Sequence, residues 1–242
     1  MPPELTEAVV EEARRNDLRV GCHCTSVDEA TDAVNAGVRV LVHWVRSDHG
    51  PVTEEFIDLL QSNDVFVIPT LGVYNVASRY TANPEILDDH DFVAFAGRQV
   101  IDEIKTDPVW KGWSSRKDFW QSAAADVIES VKKLYQGGLP LGFGTDTSVP
   151  LVSPGYSVAF EMELMQRLGM QPMDILVAAT QTNSRIWGLQ DQIGVLAPGK
   201  LADLVILESN PLDDVYNIRT VFRVLKDGKI YDPDALIADL GN

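Results

Sequence analysis

Cysteine is nearly absent from this 242-residue chain: only Cys22 and Cys24 occur, and residues two apart on a strand cannot readily close a disulfide across the intervening residue. That excludes a disulfide framework and makes a reducing, cytoplasmic setting the expectation. Histidine is scarce too, with four in the whole chain. Positive charge is in deficit: 20 Lys and Arg stand against 36 Asp and Glu, for a formal net charge of -16. A field of that sign repels phosphate, which argues against nucleic acid or an anionic membrane surface as partner. No run reaches the roughly 20 apolar residues that span a bilayer, and the first stretch holds no basic segment followed by an apolar signal core. As written, the sequence is expected to be neither membrane-inserted nor exported. With 45% hydrophobic and 23% charged residues, it has material for one domain with a substantial core, or one domain and a small appendage.

What is present is a rhythm. Apolar Leu5, Ala8, Val9 and Ala13 repeat at helical spacing and predict an outer amphipathic helix over 4–16. An apolar run follows at 18–23 (LRVGCH), then a helix from about Val27, capped by Ser26 and closed by Gly37, then a second run at 38–43 (VRVLVH). Thr53 caps a further helix to Asn63, and a third run fills 65–69. Strand and helix alternating this regularly predict parallel strands with outer helices. Between 71 and 121 the rhythm breaks into a long segment with Asn83-Pro84, Asp107-Pro108 and three tryptophans, Trp110, Trp113 and Trp120. It reads as a lid or specificity insertion, or as a plain helical excursion that packs its tryptophans. Helix resumes through Tyr135 to Gly137-Gly138, and two more helices are expected over 161–168 and 172–180. After Gly188 the texture changes to short strands and turns, with a hairpin at Asp227-Gly228. The expected division is therefore 1–188 and a small β module at 189–242.

Chemistry concentrates at strand ends. The stretch 139–147 (LPLGFGTDT) is a short apolar run whose small glycines suit a buried parallel strand, and Asp146 falls where it opens into a loop. Two earlier runs end the same way, in His23 and in His43. Three strands each delivering one metal-capable side chain at the same end make a shared mouth the economical reading, since barrel enzymes place their chemistry there. Strand alternation turns Cys22 and Cys24 away from the His23 face and into the core. Glu161 and Glu163 lie mid-helix and read as solvated or salt-bridged.

These residues resemble the metal-dependent amidohydrolase superfamily, most closely its imidazolonepropionase-like and prolidase-like members. The resemblance runs through VGCHCTSVDEATDAVNAGVRVLVHWV, VFVIPT, LGFGTD and, most specifically, IGVLAPGKLADLVIL followed by VLKDGK. It implies an α/β fold: the second half, strands five to eight, of a TIM-like (β/α) barrel, followed by part of a small C-terminal β-sandwich. By this resemblance His23 closes the fifth strand, His43 the sixth, Thr70 follows the seventh, and Asp146 closes the eighth. His23, His43 and Asp146 would be ligands of a divalent metal, zinc, and Asp146 would also shuttle a proton. The implied reaction is hydrolysis of a carbon-nitrogen bond in a small amide, cyclic amide or dipeptide-like substrate.

The departure from the pattern matters as much. Family members carry a His-x-His on the first strand and often a bridging lysine on the fourth, yet nothing before His23 is histidine or lysine, and His49 and His90 form no such pair. The expectation is a partial chain that needs the missing barrel half, or self-associates. The alternative is an inactive remnant or scaffold subunit of the same fold.

Overall fold

The computed structural model describes residues 1–242 except 44–50, 90–91, 94–95, 109–111, 113–114, 148, 150 and 241–242, and the side chains of 237–240. His49, His90, Trp110 and Trp113 lie outside the described residues.

Helix α1 (Pro3–Arg15) is followed by strand β1 (Gly21–His23), helix α2 (Val27–Asn35), strand β2 (Val40–Val42), helix α3 (Glu54–Ser62) and strand β3 (Phe66–Ile68). The predicted caps start both inner helices: Ser26 Oγ accepts from the Glu29 N–H, and Thr53 Oγ1 accepts from the Phe56 N–H. The three strands form one parallel sheet in the order β1-β2-β3, with Gly21 opposite Val40 and Val40 opposite Phe66. Each ladder is only three residues long, shorter than the apolar runs predicted. Inter-strand hydrogen bonds contribute a net ~1 kcal/mol each, whereas burying a Leu or Val side chain contributes about 1.5–3 kcal/mol. Leu41, Leu60, Val65 and Val67 are completely buried between the sheet and its helices, so packing on that layer holds the strands more than the ladders do.

The apolar stripe expected on α1 is only partly covered. Leu5, Ala8 and Val9 are exposed, whereas Thr6 is buried and Val10 and Ala13 are half-buried.

After β3, the segment at 71–121 is largely helical where described. Helix α4 (Gly72–Ala82), a 3-10 turn (Pro84–Asp88) and helix α5 (Arg98–Thr106) precede the long helix α6 (Lys117–Gln136). Ile86, Leu87, Phe92, Ile101 and Ile104 all enter the main core, as a packed excursion requires. The run at 139–147 makes no full ladder. Its contact with the sheet is one parallel bridge, Val67 to Leu141, and one hydrogen bond from the Gly142 N–H to the Val67 carbonyl at 2.8 Å. A glycine is needed there, because a Cβ at Gly142 would lie 2.5 Å from Ile186 Cδ1 and 3.1 Å from Ile68 Cγ1.

Helix α7 (Tyr156–Arg167) begins five residues earlier than predicted. The last helix of this part runs from Pro172 to Ile186 with a π-helical turn at Ala178–Thr182. Strands β4 (Leu204–Leu207), β5 (Val221–Lys226) and β6 (Lys229–Tyr231) form a separate antiparallel sheet, and Pro233–Leu240 is helical. Val205, Ile206, Phe222 and Ile230 on that sheet are exposed.

Candidate functional site

The parallel ladder brings the carboxyl ends of β1 and β2 side by side, with His23 paired to Val42. His43 is the next residue and leaves the strand in a left-handed conformation, φ 71°. Its ring meets the His23 ring edge to face with centroids 4.4 Å apart. Thr70, just past β3, and Asp146, past the Leu141 bridge, are left-handed too, with φ 44° and 54°. Three non-glycine residues in this region at one end of one sheet form an uncommon cluster, and for β-branched Thr70 the conformation is an outlier. Each such residue costs on the order of 1–3 kcal/mol and persists only where its surroundings over-determine it.

The side chains meet as well. His43 Nδ1 lies 2.7 Å from Thr70 Oγ1 and 4.0 Å from Asp146 Oδ2. The Thr70 hydroxyl can accept from Nδ1–H or donate to a bare Nδ1; the Asp146 carboxylate 4.0 Å away favours the tautomer with the hydrogen on Nδ1, which leaves the Nε2 lone pair free. Burial pushes the His43 imidazole below the ordinary histidine range; the Asp146 carboxylate pulls it back up, and His23 pushes it down again. His43 is largely buried, its side chain 15% exposed, whereas Asp146 is 38% exposed. Cys22 and Cys24 turn away from the histidine face as predicted. Cys24 is buried in the main core, Cys22 packs against it, and the two free thiols lie 3.2 Å apart.

Imidazole nitrogen and carboxylate oxygen are the donors that a divalent zinc takes. Among the described residues, however, no three His, Cys, Asp or Glu side chains are grouped to hold a metal ion. His23 and Asp146 each neighbour His43 without closing with it into a three-ligand set. Two imidazoles side by side and one carboxylate beyond them fit part of a metal site. A cavity of about 300 Å³ lies elsewhere, at the amino ends of the strands, lined by Arg14, Arg19, Val20, Arg39 and Phe66 among others.

Two residues of the site escaped the sequence. Thr70, 3% exposed, was expected only to follow a strand, yet its hydroxyl holds His43. Glu161 is not solvated, and among the described residues it is not ion-paired: it is 1% exposed, and its carboxylate accepts from the Leu71 and Gly72 N–H groups, both at 2.7 Å. Its helix explains this, since Phe160, Met162, Leu164 and Met165 bury nearly every face of α7. A carboxylate amid such residues was the available signal. Glu163 does pair, with Arg167.

A model of the amidohydrolase family matches residues 1–232. The chain is 27% identical over 238 residues to ochratoxinase of Aspergillus niger, covering 95% of this chain and 41% of that protein. It is 33% identical over 124 residues to imidazolonepropionase of Geobacillus kaustophilus, 47% of this chain and 28% of that one. A crystal structure of a Xaa-Pro dipeptidase with bound methionine in its active site shares the fold, with TM-score 0.71 at 24% identity over 96% of this chain and 49% of that one. The chain thus spans less than half the length of the curated relatives it matches.

Proposed function

The chain belongs to the amidohydrolase family, and on that premise we propose that it supplies the second half, strands five to eight, of a barrel hydrolase for carbon-nitrogen bonds. In this reading residues 1–188 are the half barrel with its insertion at 71–121, and 189–242 contribute part of a β-sandwich whose exposed Val205, Ile206, Phe222 and Ile230 await a covering layer. The observation that carries the proposal is that His23 and Asp146 each neighbour His43 at one sheet end, with the rings 4.4 Å apart and the carboxylate 4.0 Å from His43.

His23 and His43 would hold a divalent ion, zinc, with Asp146, and residues outside this stretch would complete the ligand set. When bound, such an ion supplies Lewis acidity that polarises an amide carbonyl and acidifies water. The chain's own residues do the rest. Burial keeps His43 neutral, so its free nitrogen is a lone-pair donor at neutral pH. Thr70 fixes the ring's orientation. Asp146, at the mouth, takes the proton of the attacking water and returns it to the departing nitrogen, which leaves poorly as an anion. Small amides, cyclic amides or dipeptide-like compounds are the substrate class, and a reducing, cytoplasmic setting would keep Cys22 and Cys24 as thiols.

The test is metal content by mass spectrometry beside a screen of amide and dipeptide hydrolysis, on the 242-residue chain alone and with a fragment carrying four preceding barrel strands. Weak metal and negligible turnover are expected alone. Both should be restored by the fragment, and the restored turnover should vanish with Asp146→Asn. Tight stoichiometric metal and multiple turnover from the chain alone would overturn the half-site reading. No restoration with a bound fragment would favour the inactive scaffold.

A further inference from the structure

Glu161 is a buried carboxylate that the proposed reaction does not use. Its oxygens divide between two backbone donors, Oε1 taking the Leu71 N–H and Oε2 the Gly72 N–H. Among the described residues it forms no ion pair. Burial pushes its carboxyl up to about 8, while the two amides pull the other way. Burying a carboxylate is costly, and well-packed apolar side chains fill a core more cheaply. The two amides it holds follow directly on Thr70, whose left-handed backbone is the least natural of the three at this sheet end for its residue type. A carboxylate gripping both following N–H groups fixes the peptide plane that leaves Thr70 and the one after it. Thr70 Oγ1 in turn stands 2.7 Å from His43 Nδ1. A continuous path therefore runs from carboxylate to turn, from turn to hydroxyl, and from hydroxyl to imidazole.

We infer that Glu161 is a positioning residue for His43, acting through the turn from Thr70 to Gly72 to hold the Thr70 hydroxyl on Nδ1 and so keep Nε2 as the free nitrogen. The inference rests on the reading that His43 works in the site, but its test does not. The competing role is purely structural: Glu161 would only cap α4, which has no side-chain cap of its own at Leu71.

The experiment records two-bond 1H–15N correlations of the His43 ring, which report its tautomer and which nitrogen is hydrogen-bonded, on the metal-free chain. Four proteins are compared: wild type, Thr70→Val, Glu161→Gln and Gly72→Ala. Wild type should show one tautomer with the hydrogen on Nδ1, and Thr70→Val should lose that signature. Glu161→Gln keeps one acceptor oxygen and turns an NH2 group toward the other amide. It should shift the His43 nitrogens by at least half of the difference between wild type and Thr70→Val. In Gly72→Ala the new Cβ would lie 3.2 Å from Glu161 Oε2, tight enough to displace the carboxylate slightly, and the shift should be smaller in the same direction. A Glu161→Gln spectrum that coincides with wild type while its melting temperature falls would reduce Glu161 to a helix cap. If that variant does not fold, an unshifted Gly72→Ala spectrum overturns the inference instead. Failure of His43 to take up metal would sink the functional reading and leave these spectra unchanged.

Discussion

Asn183 holds Phe143 by both of its backbone groups: the side-chain oxygen accepts from the Phe143 N–H at 2.9 Å and the side-chain nitrogen donates to the Phe143 carbonyl at 2.8 Å. An amide thus stands where a neighbouring strand would, and it anchors the segment that ends in Asp146. Both bonds are partly buried, and such a hydrogen bond contributes a net ~1 kcal/mol. Asn183→Ala should therefore lower stability to urea by about 1–2 kcal/mol. Asn183→Asp, which sets a carboxylate against the Phe143 carbonyl, should cost at least as much. An unchanged urea midpoint for both would show that the segment is held by packing alone.

Glu161 makes stability depend on pH with a defined sign. Its folded value is raised to about 8 from an ordinary 4.5. A raised carboxyl stabilises fully below the unfolded value, and that contribution is lost as pH rises through the folded one. Wild-type stability should fall between about pH 5 and pH 8, and Glu161→Gln should flatten that slope. Urea titrations across this range decide it; a slope identical in the two proteins would mean that the amide donors keep the group ionised throughout.

Helix α2 begins with reciprocal capping. Ser26 Oγ accepts from the Glu29 N–H at 3.1 Å, and the Glu29 carboxylate accepts from the Thr25 N–H at 2.9 Å. Ser26→Ala should cost about 1 kcal/mol, visible as a lower melting temperature. Any gain in stability would contradict the cap.

The two thiols should differ in reactivity. Burial is the main influence that pushes the Cys24 thiol well above the ordinary range, while Cys22 is only partly buried. Brief alkylation of the folded chain, read by peptide mass spectrometry, should label Cys22 first and Cys24 only on unfolding. Labelling in the reverse order would place Cys24 at the surface.

Much of the framework was legible in the residues. Ser26 and Thr53 announced helix starts because capping is a local bond, satisfied within three residues. The runs ending in His23 and His43 announced parallel strands because a strand buried on both faces reads as continuous apolar sequence. The family resemblance added the order of strand ends. Local pattern also misled: Leu5 and Val9 form a helical stripe that nothing in the described structure covers.

The sequence alone determined which residue types arrive at the end of each strand, since alternation and turn chemistry operate between near neighbours. Tertiary structure alone decided which of them meet. The 2.7 Å contact between His43 and Thr70 joins residues 27 apart, and the grip of Glu161 on Leu71 joins residues 90 apart. Such contacts depend on how the sheet and α7 pack together, and so does the burial that makes Glu161 unusual. A helical period shows which face a side chain takes; only the packed neighbours decide whether that face meets water or a pair of backbone amides.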